Sequence, residues 1–284
     1  MKHMEHSDLE RARASFAEAL RNAYLRDPSG VLPNAFWKTR SEIASCCVAV
    51  EGSADDPAGL LMWDSEKLLV SWSSSGHPPR RMGDVIQTVD MALIPDRMSN
   101  RVDLSIFSDR TAYFRLTRGL ADGPKRPSRS GDRAVQVRMP EEAAQVASFI
   151  GRCYERIRPS ADEVRSWTER QVYDPRFWVW IRRDGDGQAV ALGIADLDQS
   201  IGEVSLEWIQ VAPDHRRCGL GSVVVNELLR RARGVARFAT VSGQNGSPAE
   251  SLYRSCGFEG TDLWWCLRSS VDRSTGGAGA EANG

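Results

Sequence analysis

The segment Val211-Ala-Pro-Asp-His-Arg216-Arg-Cys-Gly219-Leu-Gly221-Ser222 constrains this chain more than any other. It follows an alternating run, 203–211, that reads as a strand, and it enters an amphipathic run, 220–233, that reads as a helix. A helix N-terminus exposes unpaired N–H groups and the positive end of its dipole, so it attracts anions. Glycines at 219 and 221 let an anion approach the backbone with no Cβ in the way. Arg216 and Arg217 add positive charge beside it. The segment therefore predicts a phosphate or pyrophosphate site at a strand–helix junction. Two common phosphate motifs do not fit. The dinucleotide fingerprint needs a small residue at 224, where Val224 stands, and the Walker A loop needs Gly-Lys-Ser/Thr after its glycines.

The surrounding pattern sets the fold class. Strand signals at 133–138, 177–183, 188–198, 203–211, 236–242 and 263–267 alternate with helical periods at 140–156, 160–171, 220–233 and 248–256. Asp184-Gly185-Asp186-Gly187 reads as a hairpin between two of the strands. This order predicts an α/β (α+β) domain over 133–268, a mixed sheet flanked by helices. Before it, 121–132 (ADGPKRPSRSGD) has no apolar period and reads as a boundary, with 126–132 as linker. After it, 269–284 reads as a disordered tail. The first part, 1–125, shows a capped helix at 7–26, strands at 45–50, 59–63 and 68–72, a helix at 82–93 and a strand at 102–107. The run 111–120 fits helix or strand. This part reads as an N-terminal α+β accessory domain.

Composition removes several classes. A length of 284 residues suits two domains. A net charge of −1 gives no electrostatic reason to expect nucleic acid or an anionic membrane as partner. No apolar run reaches the roughly 18 residues of a membrane helix. The N-terminus, MKHMEHSDLE, lacks an apolar signal core, so the protein reads as cytoplasmic. Six cysteines without a C-x-x-C pair read as free thiols, and no metal site is expected.

R-x-x-G-x-G after a strand ending in V-x-P resembles the acyl-CoA loop of the GNAT (Gcn5-related N-acetyltransferase) superfamily. Asn245 lies 24 residues past Gly221, and the run A-x-x-L-Y-x-x-x-G-F at 249–258 is similar to the second GNAT motif. The resemblance covers about 135 residues in the family's order. It implies acetyl-CoA as co-substrate and no metal. It places Arg216, Arg217, Cys218, Gly219, Leu220, Gly221 and Ser222 around the pyrophosphate. Ile209, Gln210 and Val211 would line the pantetheine arm, with Asn245 and Tyr253 beside the cofactor.

By the same resemblance Tyr253 stands near the sulfur, where its phenol can protonate the departing thiolate. Glu203 and Glu207, four apart on one strand, share a face. Glu207, nearer the loop and flanked by Leu206 and Trp208, is favoured as base, with Glu203 or water as alternatives. His215 reads as facing solvent or phosphate, and Cys218 as a bystander. Trp178, Trp180, Trp208, Trp264 and Trp265 read mostly as core, with a minority lining the acceptor pocket. The implied activity is direct acetyl transfer to a primary amine, here of a small molecule. Acetylation of a protein N-terminus or lysine, and CoA sensing without catalysis, are the alternatives. The first part has no R-x-x-G-x-G at a strand–helix junction, so it reads as accessory or as a diverged acetyltransferase-like unit. A chain starting near Asp132 is expected to fold and to bind acetyl-CoA.

Overall fold

The computed structural model describes residues 6–121, 132–154 and 156–269. The expected linker and tail fall mostly outside these residues. In chain order the first half comprises α1 (His6–Arg26), α2 (Pro28–Val31), α3 (Phe36–Glu42), β1 (Cys47–Gly52), β2 (Pro57–Trp63), β3 (Lys67–Ser73), α4 (Met82–Ile86), β4 (Met91–Pro95), α5 (Asp96–Ser99) and β5 (Asp109–Gly119). The second comprises β6 (Asp132–Gln136), α6 (Ala143–Cys153), α7 (Ala161–Ser166), β7 (Trp178–Arg183), β8 (Ala189–Asp198), β9 (Glu203–Val211), α8 (Leu220–Ala232), β10 (Phe238–Gln244), α9 (Pro248–Ser255) and β11 (Glu259–Arg268).

All eleven strands join one mixed sheet in the order β1-β2-β3-β4-β11-β5-β10-β9-β8-β7-β6. The halves repeat each other along it. The series β1, β2, β3, α4, β4, α5, β5 has the same order and pairing senses as β7, β8, β9, α8, β10, α9, β11. Each series makes two antiparallel pairs and then a parallel pair, β3/β4 and β9/β10, joined through a helix. The last strands are exchanged. β11 lies between β4 and β5, and β5 lies between β10 and β11. Each half thus completes the other's sheet.

Helices cover both faces, because the strands carry apolar side chains on both. Val224, Leu228 and Phe258 close one core over β8–β10, while Phe149, Trp178 and Trp180 close another under α6 and α7. In the first half α1 packs Phe16, Leu20 and Tyr24 onto a third core, which includes Ile201 from the second half.

Two expectations are corrected. The run 82–93 is not one helix: α4 stops at Ile86 and β4 begins at Met91. Its apolar residues satisfy a helical period, yet Leu93 and Ile94 are used as strand. The run 102–107 forms no strand. Asp103 Oδ1 accepts from the Ser105 N–H at 2.9 Å and Phe107 N–H donates to Leu104 O at 3.1 Å, so local turns replace a ladder while Leu104 and Phe107 are still buried. The ambiguous run at 111–120 is the long strand β5. The sequence assigned no element to α3.

Strand exchange also removes the expectation that a chain starting near Asp132 folds alone. Without β5, the ladder from Phe238↔Gly119 to Gln244↔Tyr113 is lost, as is the whole β5 side of β11. Unpaired apolar edges of that length template aggregation. Residues 132–284 alone are expected to be insoluble or unfolded. A soluble, cooperatively unfolding monomer by sedimentation and urea titration would contradict the exchange.

Candidate active site

The site is built on a fork. β9 and β10 pair in parallel only at Phe238↔Glu203, Ala239↔Val204 and Thr240↔Ser205, and then diverge. From Leu206 onward the β10-facing edge of β9 is free of that ladder. On its other edge β9 stays paired with β8, but with a bulge. Ala195 faces Leu206 and Ile194 faces Trp208, so Glu207 has no register partner.

At the open end of the fork the chain turns into α8. Arg217 takes φ 62° and Gly219, the residue before the helix, takes φ 83°. Left-handed backbone at a non-glycine residue is costly and tends to mark functional loops. Residues 216–219 are exposed and buried Leu220 anchors the first turn, so the loop lies at the surface. This suits an extended anion. Arg216 does something other than expected: its guanidinium donates to Cys153 O at 3.0 Å and Val211 O at 3.4 Å, bracing the loop against α6. Gly221 also has a different reason. A Cβ there would lie 2.8 Å from Leu252 Cδ2, so the glycine allows α8 to approach α9. Beside the loop His215, Arg216, Arg152 and Arg158, with Asp214, line a cleft of about 820 Å³, a largely basic groove.

Tyr253 stands on α9, 7% exposed, with its ring against Phe114 and Phe258 at centroid distances of 6.1 and 5.8 Å. Its hydroxyl has no hydrogen-bond partner among the described residues. Burial pushes its ionisation far up, and Tyr154, Cys256 and Glu207 push in the same direction. The phenol therefore stays protonated and can donate.

The two glutamates share a strand face as expected, with different surroundings. Glu203 is 1% exposed and accepts from Tyr24 Oη at 2.6 Å, Phe36 N–H at 3.1 Å, Arg115 Nη2 at 3.2 Å and Thr240 Oγ1. Three of these donors converge on Oε1 and one reaches Oε2, so the carboxylate ties four elements together. Glu207 accepts from Ser205 Oγ at 2.9 Å and pairs with Lys38 Nζ, a residue of α3. Gln210 turns its amide toward Tyr154 Oη at 3.4 Å, and Val211 O accepts from Cys153 Sγ at 3.7 Å. Asn245 N–H bonds Ala112 O at 2.8 Å at the exposed mouth of the fork. Cys218 is exposed on the loop. Trp178, Trp180 and Trp264 are core, whereas Trp208 stacks on Trp167 at 5.4 Å beside Tyr154.

Sequence reasoning missed Lys38, Tyr154, Arg170 and Asp196. Asp196 lies on β8 opposite Ser205 and is 3% exposed. Its Oδ2 makes no hydrogen bond and stands 4.0 Å from Arg170. Burial, and then the Glu207 charge, push its carboxyl up to about 8, against the pull of Lys38 and Arg170. One signal was available: an acid inside the otherwise apolar run 189–197. Arg170 gave none and Lys38 only its rarity as a residue type, since only the tertiary fold brings one to Asp196 and the other to Glu207.

The parallel fork of β9 and β10, with α8 starting at its open end, is the frame of the candidate site. A model of the acetyltransferase (GNAT) family matches residues 143–258, so this segment is similar to that family. Three solved structures share the fold across both halves. A GCN5-related N-acetyltransferase from Sphaerobacter thermophilus has 14% identity and a TM-score of 0.60, covering 84% of this chain and 87% of that one. An acetyltransferase of the GNAT family from Colwellia psychrerythraea has 15% identity and a TM-score of 0.61, covering 94% and 98%. A tandem GNAT protein from the clavulanic acid biosynthesis pathway has 13% identity and a TM-score of 0.56, covering 93% and 97%.

The carboxyl of Asp196 leads to a pH prediction. Unfolded, it titrates near about 4; folded, it titrates at about 8. Between these values the folded state holds a proton that the unfolded state has lost, so this group's contribution to stability falls as pH rises. Asp196→Asn is expected to flatten the stability profile over that interval and to be more stable than the parent at its upper end. Urea midpoints across the interval that track the parent would refute the assignment.

Proposed function

We propose that this protein is an acetyl-CoA-dependent N-acetyltransferase that moves an acetyl group directly to a primary amine of a small molecule. The observation that carries the reading is the fork: β9 releases β10 after Ser205, which leaves Glu207 on the freed stretch of β9, while α9 carries the buried Tyr253 phenol. The first half, with the same strand order and no counterpart of the Arg-Gly loop, is a diverged second unit.

Acetyl-CoA supplies an acetyl group activated as a thioester. The N–H groups from Arg217 to Ser222 hold its pyrophosphate, helped by the basic groove, and the free edge of β9 from Ile209 to Val211 pairs with its amide-bearing arm. Glu207 takes a proton from the acceptor ammonium, directly or through water, so that the nitrogen lone pair becomes available. Tyr253 Oη gives a proton to the departing sulfur. Trp208, stacked on Trp167, lines the acceptor side. A small acceptor is supported by enclosure. Glu207 is 8% exposed beneath α3, so the acceptor must reach it past Lys38.

Tyr253→Phe is expected to keep acetyl-CoA affinity and to lower kcat by about 10²-fold, and Glu207→Gln to lower kcat by a similar factor. Gly219→Ala, strained at φ 83°, is expected to weaken acetyl-CoA binding in calorimetry. A screen of amines reading thiol release supplies the acceptor. Unchanged kcat in the Phe variant, or unchanged affinity in the Ala variant, would overturn the corresponding assignment.

A further inference from the structure

We infer that this protein acetylates the Nζ of its own Lys38, and that the modification frees Glu207 for the diffusible acceptor; the inference rests on the function proposed above. The chain has four lysines against 33 arginines. Arginine supplies the other cations of this cluster, with Arg115 on Glu203, Arg40 on Asp198 and Arg170 near Asp196. An ion pair alone would be served as well or better by arginine, whose guanidinium binds carboxylates in two places and stays charged. Lysine differs in having a nitrogen that becomes nucleophilic once it loses a proton.

The fold fixes where that nitrogen sits. Pro33 O accepts from Ser242 Oγ on β10, and Phe36 N–H donates to Glu203 on β9 at 3.1 Å, so the start of α3 is fastened to both arms of the fork. Two residues beyond Phe36 stands Lys38, and four beyond Glu203 stands Glu207. The two side chains meet as an ion pair. Lys38 keeps 32% exposure and Glu207 only 8%, so an incoming thioester meets the amine first. A primary amine hydrogen-bonded to the base is the arrangement an acceptor must adopt.

The step balances. Glu207 takes a proton from the Lys38 ammonium, and the Nζ lone pair forms a bond to the thioester carbonyl carbon. The carbon–sulfur bond breaks, the sulfur leaves with the electron pair, and it takes a proton from Tyr253 Oη. The nitrogen's second proton restores the phenol through solvent, and the proton on Glu207 passes to water. An ammonium and a thioester become an amide, a thiol and one released proton. The amide is neutral, so Glu207 loses its built-in counter-ion and is open to an acceptor amine.

The test incubates the full chain with acetyl-CoA and no acceptor, then maps acetylation by peptide mass spectrometry, with Lys67 on β3 as internal control. Lys38 is expected to be labelled well ahead of Lys67, and trypsin to stop cutting after it. Glu207→Gln is expected to slow labelling of Lys38 by about 10²-fold and to leave Lys67 unchanged. Lys38→Arg should take no label at this position and keep the parent's urea midpoint. Lys38→Gln and the acetylated protein should share one altered midpoint, because both lack the ion pair. Labelling of Lys38 no faster than Lys67, or at full rate in Glu207→Gln, would sink the inference. So would a protein that acetylates free amines while Lys38 stays unmodified, which leaves the proposed function standing. Failure to bind acetyl-CoA in calorimetry would remove both.

Discussion

The buried carboxylate of Glu203 is the interaction on which the rest depends. A carboxylate taken out of water without partners costs several kcal/mol. Glu203 is answered by four donors from four elements: Tyr24 of α1, the backbone of α3, Arg115 of β5 and Thr240 of β10. Arg115 also donates to Tyr24 Oη at 2.7 Å, so guanidinium, phenol and carboxylate form one closed set. Burial keeps the Tyr24 phenol protonated, and it remains a donor. The position matters as much as the energy. Glu203 lies where β9 and β10 are still paired, at the closed end of the fork. Two strands can separate in a defined direction only if their other ends are fixed, and this clamp fixes them.

Four residues along the same strand the electrostatics change. Glu207 has one ion pair and one hydroxyl, and sits at a bulge that removes it from the β8 ladder. Asp196 faces it from β8 with an oxygen that no donor reaches. Burial, and then the Glu207 charge, push the Asp196 carboxyl up, so this acid holds a proton where an ordinary carboxyl has lost one. The sheet therefore separates an acid with four donors, which holds structure, from acids with fewer donors beside the fork. Burial alone does not distinguish them, since Glu203 and Asp196 are both almost fully covered. The number of donors does.

Much of the second half was legible in its sequence because its signals are local. The bounds of β9 agree with the alternating run 203–211, α8 begins where the glycine loop ends, and Tyr253 lies on the short helix that its motif implied. What escaped was what depends on distant chain. The exchange of β5 and β11 leaves no local trace, because each reads as an ordinary strand whichever neighbours it finds. Lys38 has a signal only as a rare residue type, and its role exists because Glu203 and Ser242 fasten α3 from more than 160 residues away. Arg216 and Gly221 meet demands that the motif does not announce: one braces two carbonyls and the other admits a leucine. A motif states which residue types a loop requires, and several physical demands can require the same type.

The first half shows what happens to a fork that does not have to open. Its parallel pair, β3 and β4, also stops early, after Lys67↔Met91 and Leu68↔Ala92. Beyond that point Ser71 Oγ donates to Leu93 O at 2.7 Å and bridges the two arms. The crossing helix α4 is five residues long, against thirteen for α8, too short to sum much of a dipole. The space is filled instead by Met82, Val85 and Ile94. A bridged, packed fork is more stable locally than an open one, and it gives the exchanged strand β11 firm backing on its β4 side. The open fork of the second half is in turn backed by β5 and roofed by α3, both from the first. Stability from a closed copy thus supports exposure in an open one, and the same fastening places a first-half amine on a second-half carboxylate.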